Sequence, residues 1–121
     1  IICILITGIL ATVISTLLII SIGLLAFKIE DSNPFYWLYS KLILVIGTIF
    51  PIEYFPKTIQ PLLNISPVFV VCYGPAKLFV NFSLSNFIHV LTAQIIYIII
   101  SYTLCNLLYK KGVEKINANG G

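Results

Sequence analysis

The side chains able to do chemistry in this chain are few and widely spaced. There is one histidine, His89, and it lies inside an apolar run. A single histidine cannot build a multi-histidine metal site. No His-Glu-x-x-His zinc motif, no Gly-x-Ser-x-Gly nucleophile elbow and no Gly-x-x-x-x-Gly-Lys-Ser/Thr phosphate loop occurs. Cys3, Cys72 and Cys105 match no zinc or disulfide framework, so they read as plain buried or lipid-facing thiols. No catalytic residue, cofactor or metal is expected. What remains are isolated polar groups in apolar surroundings: Lys41, Glu53, Tyr73, His89, Thr92 and Gln94.

The elements that position these groups belong in lipid. Of 121 residues 60% are hydrophobic and 9% charged, whereas soluble domains carry about 25% charge. Too little polar material is present to cover a water-facing surface, and the bilayer is the natural solvent. The net charge of +3 comes from seven lysines without arginine. Lys110, Lys111 and Lys115 follow the last apolar run. They read as a cytoplasmic flank under the positive-inside rule and not as a nucleic-acid face. The chain opens inside an apolar run without methionine, signal-peptide n-region or cleavage site, so an upstream part of the protein is expected.

Residues 1–27 are uncharged and free of proline, long enough to span. At 100° per residue, Ile2, Ile6, Ile9, Val13, Leu17, Ile20, Leu24 and Phe27 form a lipid-facing stripe. Thr7, Gly8, Ala11, Thr12, Ser15 and Ala26 form a small, weakly polar stripe suited to helix contacts. A polar connection, residues 28–33, leads to Pro34 in a new first turn, with Asn33 as its cap. Phe35, Tyr36, Trp37 and Tyr39 fit an interfacial aromatic belt. The second span, residues 34–51, ends at Pro51. From 51 to 84, Pro51, Pro56, Pro61, Pro67, Gly74 and Pro75 interrupt an apolar sequence every few residues. No single helix is expected to pass through such spacing. Broken helix at membrane depth must be covered by protein or line a cavity. Three short re-entrant or interfacial helices are therefore expected, over residues 57–63, 67–73 and 75–80.

The last span, residues 85–109, should be capped by Ser85 and closed by Lys110 and Lys111, with Gly112 ending it. Ser85, His89, Thr92, Thr103 and Asn106 share one polar line; Gln94, Ser101 and Cys105 share another. This helix should touch protein on both sides. With the tail 110–121 inside, three spans place the broken region outside.

The order of these features resembles the C-terminal half of an ABC-2 type permease of the ABC-2 family transporter protein group. The resemblance rests on Phe35-Tyr-Trp-Leu-Tyr39, Gly47-Thr-Ile-Phe-Pro-Ile-Glu-Tyr-Phe-Pro56, Ser66-Pro67, Tyr73-Gly-Pro-Ala-Lys-Leu-Phe79 and the closing segment from Lys111 to Gly121. It covers about 90 residues from Phe35 on; the first span matches in being apolar. It implies about six spans in the whole permease, the last three held here. It also implies pairing with a second permease subunit, identical or not, and powering by cytoplasmic ATP-binding cassette ATPase subunits. The family's short re-entrant helices lie outside, before the final span. Its main cytoplasmic coupling element lies earlier than this chain.

The expectation is thus an all-α polytopic membrane helix bundle: a multi-pass permease subunit of an exporter in the plasma membrane, C-terminus cytoplasmic, without enzymatic activity and without nucleic acid as partner. Gly47, Pro51, Glu53, Pro56, Pro67, Tyr73, Pro75, His89, Thr92 and Gln94 are the gate or pathway candidates. Plainer readings stand beside them. His89 reads as a hydrogen-bonding link to a neighbouring helix near the outer end of its span, and Glu53 as a solvated or lysine-paired turn residue. Lys41 reads as a snorkelling side chain, and the tyrosines as belt residues. An ion-coupled secondary transporter or channel is the main alternative, and a non-transporting membrane scaffold the next. A membrane-embedded enzyme ranks last.

Overall fold

The structure, a computed structural model, describes residues 1–27 and 31–120. Lys28, Ile29 and Glu30 of the expected inner connection, and Gly121, lie outside the described residues. All regular structure among the described residues is helical, as the composition and periodicity predict.

Helix α1 spans Ile2–Leu24 and tightens into a 3₁₀ turn over Leu25–Phe27. Its stripe of Ile2, Ile6, Ile9, Val13 and Ile20 is exposed, while Thr7, Ala11, Ile14 and Ser21 are buried. Thr12 and Ala26, both exposed, depart from the expected inward stripe. The Thr12 hydroxyl donates to the Gly8 carbonyl at 3.0 Å, an internal bond that lets threonine face lipid.

Helix α2 spans Asn33–Leu42 and runs on as a wide, π-helical segment over Ile43–Ile49. Its start differs from expectation by one residue. Ser32 holds the cap position, its carbonyl accepting from the Phe35 and Tyr36 N–H groups, and Asn33 instead donates its N–H to the Asp31 carboxylate at 3.0 Å. Its end follows from Pro51: Phe50 is extended (φ −113°, ψ 111°), as the residue before proline prefers.

After a 3₁₀ turn at Ile52–Tyr54 comes the short helix α3, Gln60–Asn64. A second arm follows: a π-helical segment Phe69–Tyr73 flowing into helix α4, Gly74–Val80. Here the expectation of two separate helices is overturned, because helical backbone runs without break over residues 67–80. Pro75 is accommodated by the wide turn before it. In a π-helix the acceptor for residue 75 is the Val70 carbonyl, five residues back. Proline has no N–H to give it. The Gln94 side chain fills the gap, its Nε2 donating to the Val70 carbonyl at 2.9 Å.

Helix α5 spans Leu84–Gly120. Two expectations are corrected here. Ser83, not Ser85, caps it, its hydroxyl accepting from the Asn86 N–H at 3.1 Å. Gly112 does not end it. A single internal glycine costs only about 1 kcal/mol against alanine, and the lysine- and glutamate-containing turn beyond it favours helix. The polar line Gln94, Ser101, Cys105 turns inward, with Gln94 and Ser101 fully buried; Ser85, His89, Thr92, Thr103 and Asn106 are exposed.

α1 and α5 are each long and apolar enough to cross a bilayer, and they run in the same direction. Gln94 Nε2 donates to the Thr7 carbonyl at 2.9 Å near their starts. Ser21 and Leu25 share a cleft with Leu104 and Leu108 near their ends. α2 runs against them, with Ser15 and Tyr39 hydroxyls 3.2 Å apart and Gly47 packed on Cys72. The α3–α4 stretch is a hairpin that descends into this bundle and climbs back. At its tip the Tyr97 hydroxyl donates to the Ile65 carbonyl, and Ser66 bonds back to Leu63, so the irregular backbone is satisfied as an apolar setting demands. From His89 to Tyr97 along α5 is about 12 Å at 1.5 Å per residue, which sets the scale of the descent. The core where α1, the hairpin stretch and α5 meet is Ile14, Ile52, Leu63, Phe69, Val70, Leu78 and Val90.

Two expected outcomes follow from this packing. Gln94→Leu should lose about 1–2 kcal/mol of stability, tempered because the amide oxygen removed has no protein partner of its own. Asn106→Leu, on the exposed face, should stay within about 0.5 kcal/mol; unfolding in mixed detergent micelles measures both. A Cβ at Gly47 would meet Cys72 Cβ at 2.9 Å, whereas one at Gly8 meets nothing within 4 Å. Gly47→Ala should therefore lower the thermal midpoint and Gly8→Ala should leave it unchanged or raise it.

Candidate functional site

Two charged groups, Glu53 and Lys77, come together where the hairpin meets the start of α5. The 3₁₀ turn after Pro51 presents Glu53, and the rising arm presents Tyr73 and Lys77. A spacing of four residues keeps those two on one helical face. Lys77 Nζ stands 3.9 Å from Glu53 Oε1 and 5.6 Å from the Tyr73 ring centroid. The Tyr73 hydroxyl donates to Glu53 Oε1. Burial and the neighbouring Glu53 carboxylate push the Tyr73 phenol up to about 12, so it remains a hydrogen-bond donor across the physiological range. The Lys77 and Glu53 side chains are 44% and 66% exposed. An ion pair this wet contributes little to stability and can open at small cost. These three side chains form a clasp between the turn and the rising arm.

Behind the clasp lies an open cavity of about 410 Å³, whose polar lining includes Glu53, Gln60, Asn64, Lys77, Asn86 and His89. Gln60 is fixed there by donating Nε2 to the Phe55 and Glu53 carbonyls at 2.8 and 3.3 Å. His89 meets the edge of the Phe69 ring, centroids 5.7 Å apart at 70°. Gly74 makes the close approach of arm and α5 possible: a Cβ there would lie 3.1 Å from both Val90 methyls and 3.0 Å from the Phe69 carbonyl. The arrangement offers donors, acceptors and one charge of each sign. Among the described residues no three His, Cys, Asp or Glu gather to hold a metal ion.

The ten residues singled out from the sequence are distributed unevenly. Glu53, Tyr73 and His89 come together at this cavity, and Gly47 and Pro51 line a second one on the far side of the clasp. Pro56 starts the turn that leads into α3, accepting from Ile59 and Gln60. Pro67 lies at the deep end of the hairpin, in the cleft with Leu104 and Leu108. Pro75 sits inside the rising arm. Thr92 is exposed and bonds back to the Ile88 carbonyl at 2.8 Å. Gln94 lies in the core as the hairpin's anchor. Lys77, Gln60, Asn64 and Asn86 were missed by sequence reasoning. Only Lys77 carried a signal, its four-residue spacing from Tyr73. Lys41, outside the site, lays its Nζ 5.4 Å over the Trp37 ring.

No curated protein and no solved structure matches the chain. A family model described as "ABC-2 family transporter protein" matches residues 1–120, so the likeness extends through α1 as well as over the motifs from Phe35 onward. With its lipid-suited helices and that match over nearly its whole length, the chain belongs to the ABC-2 family of membrane transport proteins.

Proposed function

We propose that this chain is the C-terminal part of the permease subunit of an ATP-binding cassette exporter, spans lying near residues 1–27, 34–51 and 85–109. The observation that carries the reading is the parallel course of α1 and α5, with α2 running back against α1 and a hairpin plugging one end. A parallel pair needs a crossing between its members, which supports three spans. The lysines at the α5 end then favour a cytoplasmic C-terminus, and the hairpin, with its clasp, faces outside.

In this mechanism the hairpin is the outer closure of a pathway formed with a second permease subunit. A cytoplasmic ATPase subunit binds ATP and rocks the helices. Substrate leaves past the Glu53–Tyr73–Lys77 clasp, whose exposed ion pair gives way readily. The buried anchor at Gln94 keeps the rest of the hairpin seated while the rim moves. The chain itself contributes no hydrolytic chemistry; its role is shape and access.

The full-length protein, solubilised from its native membrane, should co-purify with an ATP-binding cassette subunit. In that complex Glu53→Gln with Lys77→Gln should preserve association and change basal ATP turnover by about 1.5–5-fold, the equivalent of an exposed pair worth about 0.2–1 kcal/mol. Absence of any ATPase subunit from the purified protein would contradict the reading.

A further inference from the structure

Glu53, Tyr73 and Lys77 line two cavities at once. One is the polar cavity of about 410 Å³ that also contains Gln60, Asn64, Asn86 and His89. The other, of about 420 Å³, lies on the α2 side, where Gly47, Pro51, Ala76 and Val80 supply mostly apolar walls. The clasp is therefore a neck between compartments of unlike chemistry. The α2-side compartment opens beside strongly exposed apolar side chains, Ile49, Phe50 and Val80, a surface suited to lipid. The formal charges at the neck cancel, Glu53 against Lys77, so the pair of cavities favours a ligand of no net charge. The size of each compartment suits one part of a drug-sized molecule.

We infer that the two cavities form one binding site for a zwitterionic amphiphile. Its small head, bearing one phosphate-like anion and one ammonium group, occupies the compartment of Asn64, Asn86 and His89. Its apolar body lies along Gly47, Ala76 and Val80. At the neck the head exchanges partners with the clasp, the anion taking Lys77 and the ammonium taking Glu53. The ion pair is thereby replaced without leaving either charge alone, and a pair this exposed exchanges partners at small cost. This inference rests on the exit-gate reading and specifies what passes the gate.

The test is binding of a fluorescent lysophosphatidylethanolamine to the full-length protein with its ATPase partner in a neutral sugar detergent. Saturable binding is expected. Asn64→Trp, filling the polar compartment, and Ala76→Trp, filling the apolar one, should each weaken it by about tenfold or more, since a few excluded methylenes or one lost polar contact suffice. Leu107→Trp, exposed far from both, should leave it unchanged. Lysophosphatidylglycerol, of net negative charge, should displace the probe more weakly than unlabelled lysophosphatidylethanolamine. Displacement by free phosphoethanolamine as effective as by the whole lipid, with Ala76→Trp silent, would overturn the inference in favour of a head-only site. Equal displacement by dodecanol would overturn it in favour of apolar partition. Retention of the ATPase subunit throughout separates these failures from failure of the permease reading, which would show as its absence from the wild-type preparation.

Discussion

One carboxamide ties this structure together. Gln94 Nε2 donates to carbonyls on two other elements, Thr7 in α1 and Val70 in the rising arm. All three residues are buried, at 0–1% exposure. The Val70 carbonyl is open because Pro75 brings no N–H to it, and in an apolar interior a carbonyl is better met than left alone. The proline that would break a lone helix thus creates an acceptor, and α5 answers it. The wide turn, the seating of the hairpin and the parallel contact of α1 with α5 all converge on that side chain.

Around this anchor, close approach replaces hydrophobic drive. Lipid is as apolar as leucine, so helices in it associate by packing and hydrogen bonding. Gly47 against Cys72 and Gly74 against Val90 leave no room for a Cβ. They bring α2 and α5 onto opposite sides of the rising arm. The arm is then held firmly in depth, and at its rim the Glu53–Lys77 pair and the Tyr73 hydroxyl join it to the preceding turn. Stability is graded along one short element, and the weak end is the end that faces the cavities. The proposed role as a gate would call for that distribution: a fixed hinge and a cheap latch.

The broad design was legible because lipid imposes simple rules. Uncharged runs read as spans, and the stripe of Ile2, Ile6, Ile9, Val13 and Ile20 correctly marked the outward face of α1, with Thr7 and Ala11 inward. Phe50 before Pro51 marked the end of α2. The failures share one cause, tertiary partners answering local signals. Pro75 looked like a break, and from sequence nothing connected it to a glutamine 19 residues later. Gly112 looked like a stop, but its cost is small beside the length of helix carried past it. Ser85 and Ser83 are equally good caps by type, and only the backbone geometry chose between them. At the site, Glu53 and Tyr73 were visible as polar groups in apolar sequence. Lys77 was passed over because its partner lies across a hairpin whose fold is set by the Gln94 anchor.

The central claim is that the stretch from Ile52 to Ser83 dips in and returns to the side it left. Substituted-cysteine labelling tests it directly, in the full-length protein with Cys3, Cys72 and Cys105 replaced by serine. Tyr54→Cys and Phe82→Cys, at the two ends of the hairpin and both exposed, should react with a membrane-impermeant maleimide on intact cells, and Lys115→Cys only after permeabilisation. Labelling of positions 54 and 82 from opposite sides would make the stretch a full crossing and contradict the account.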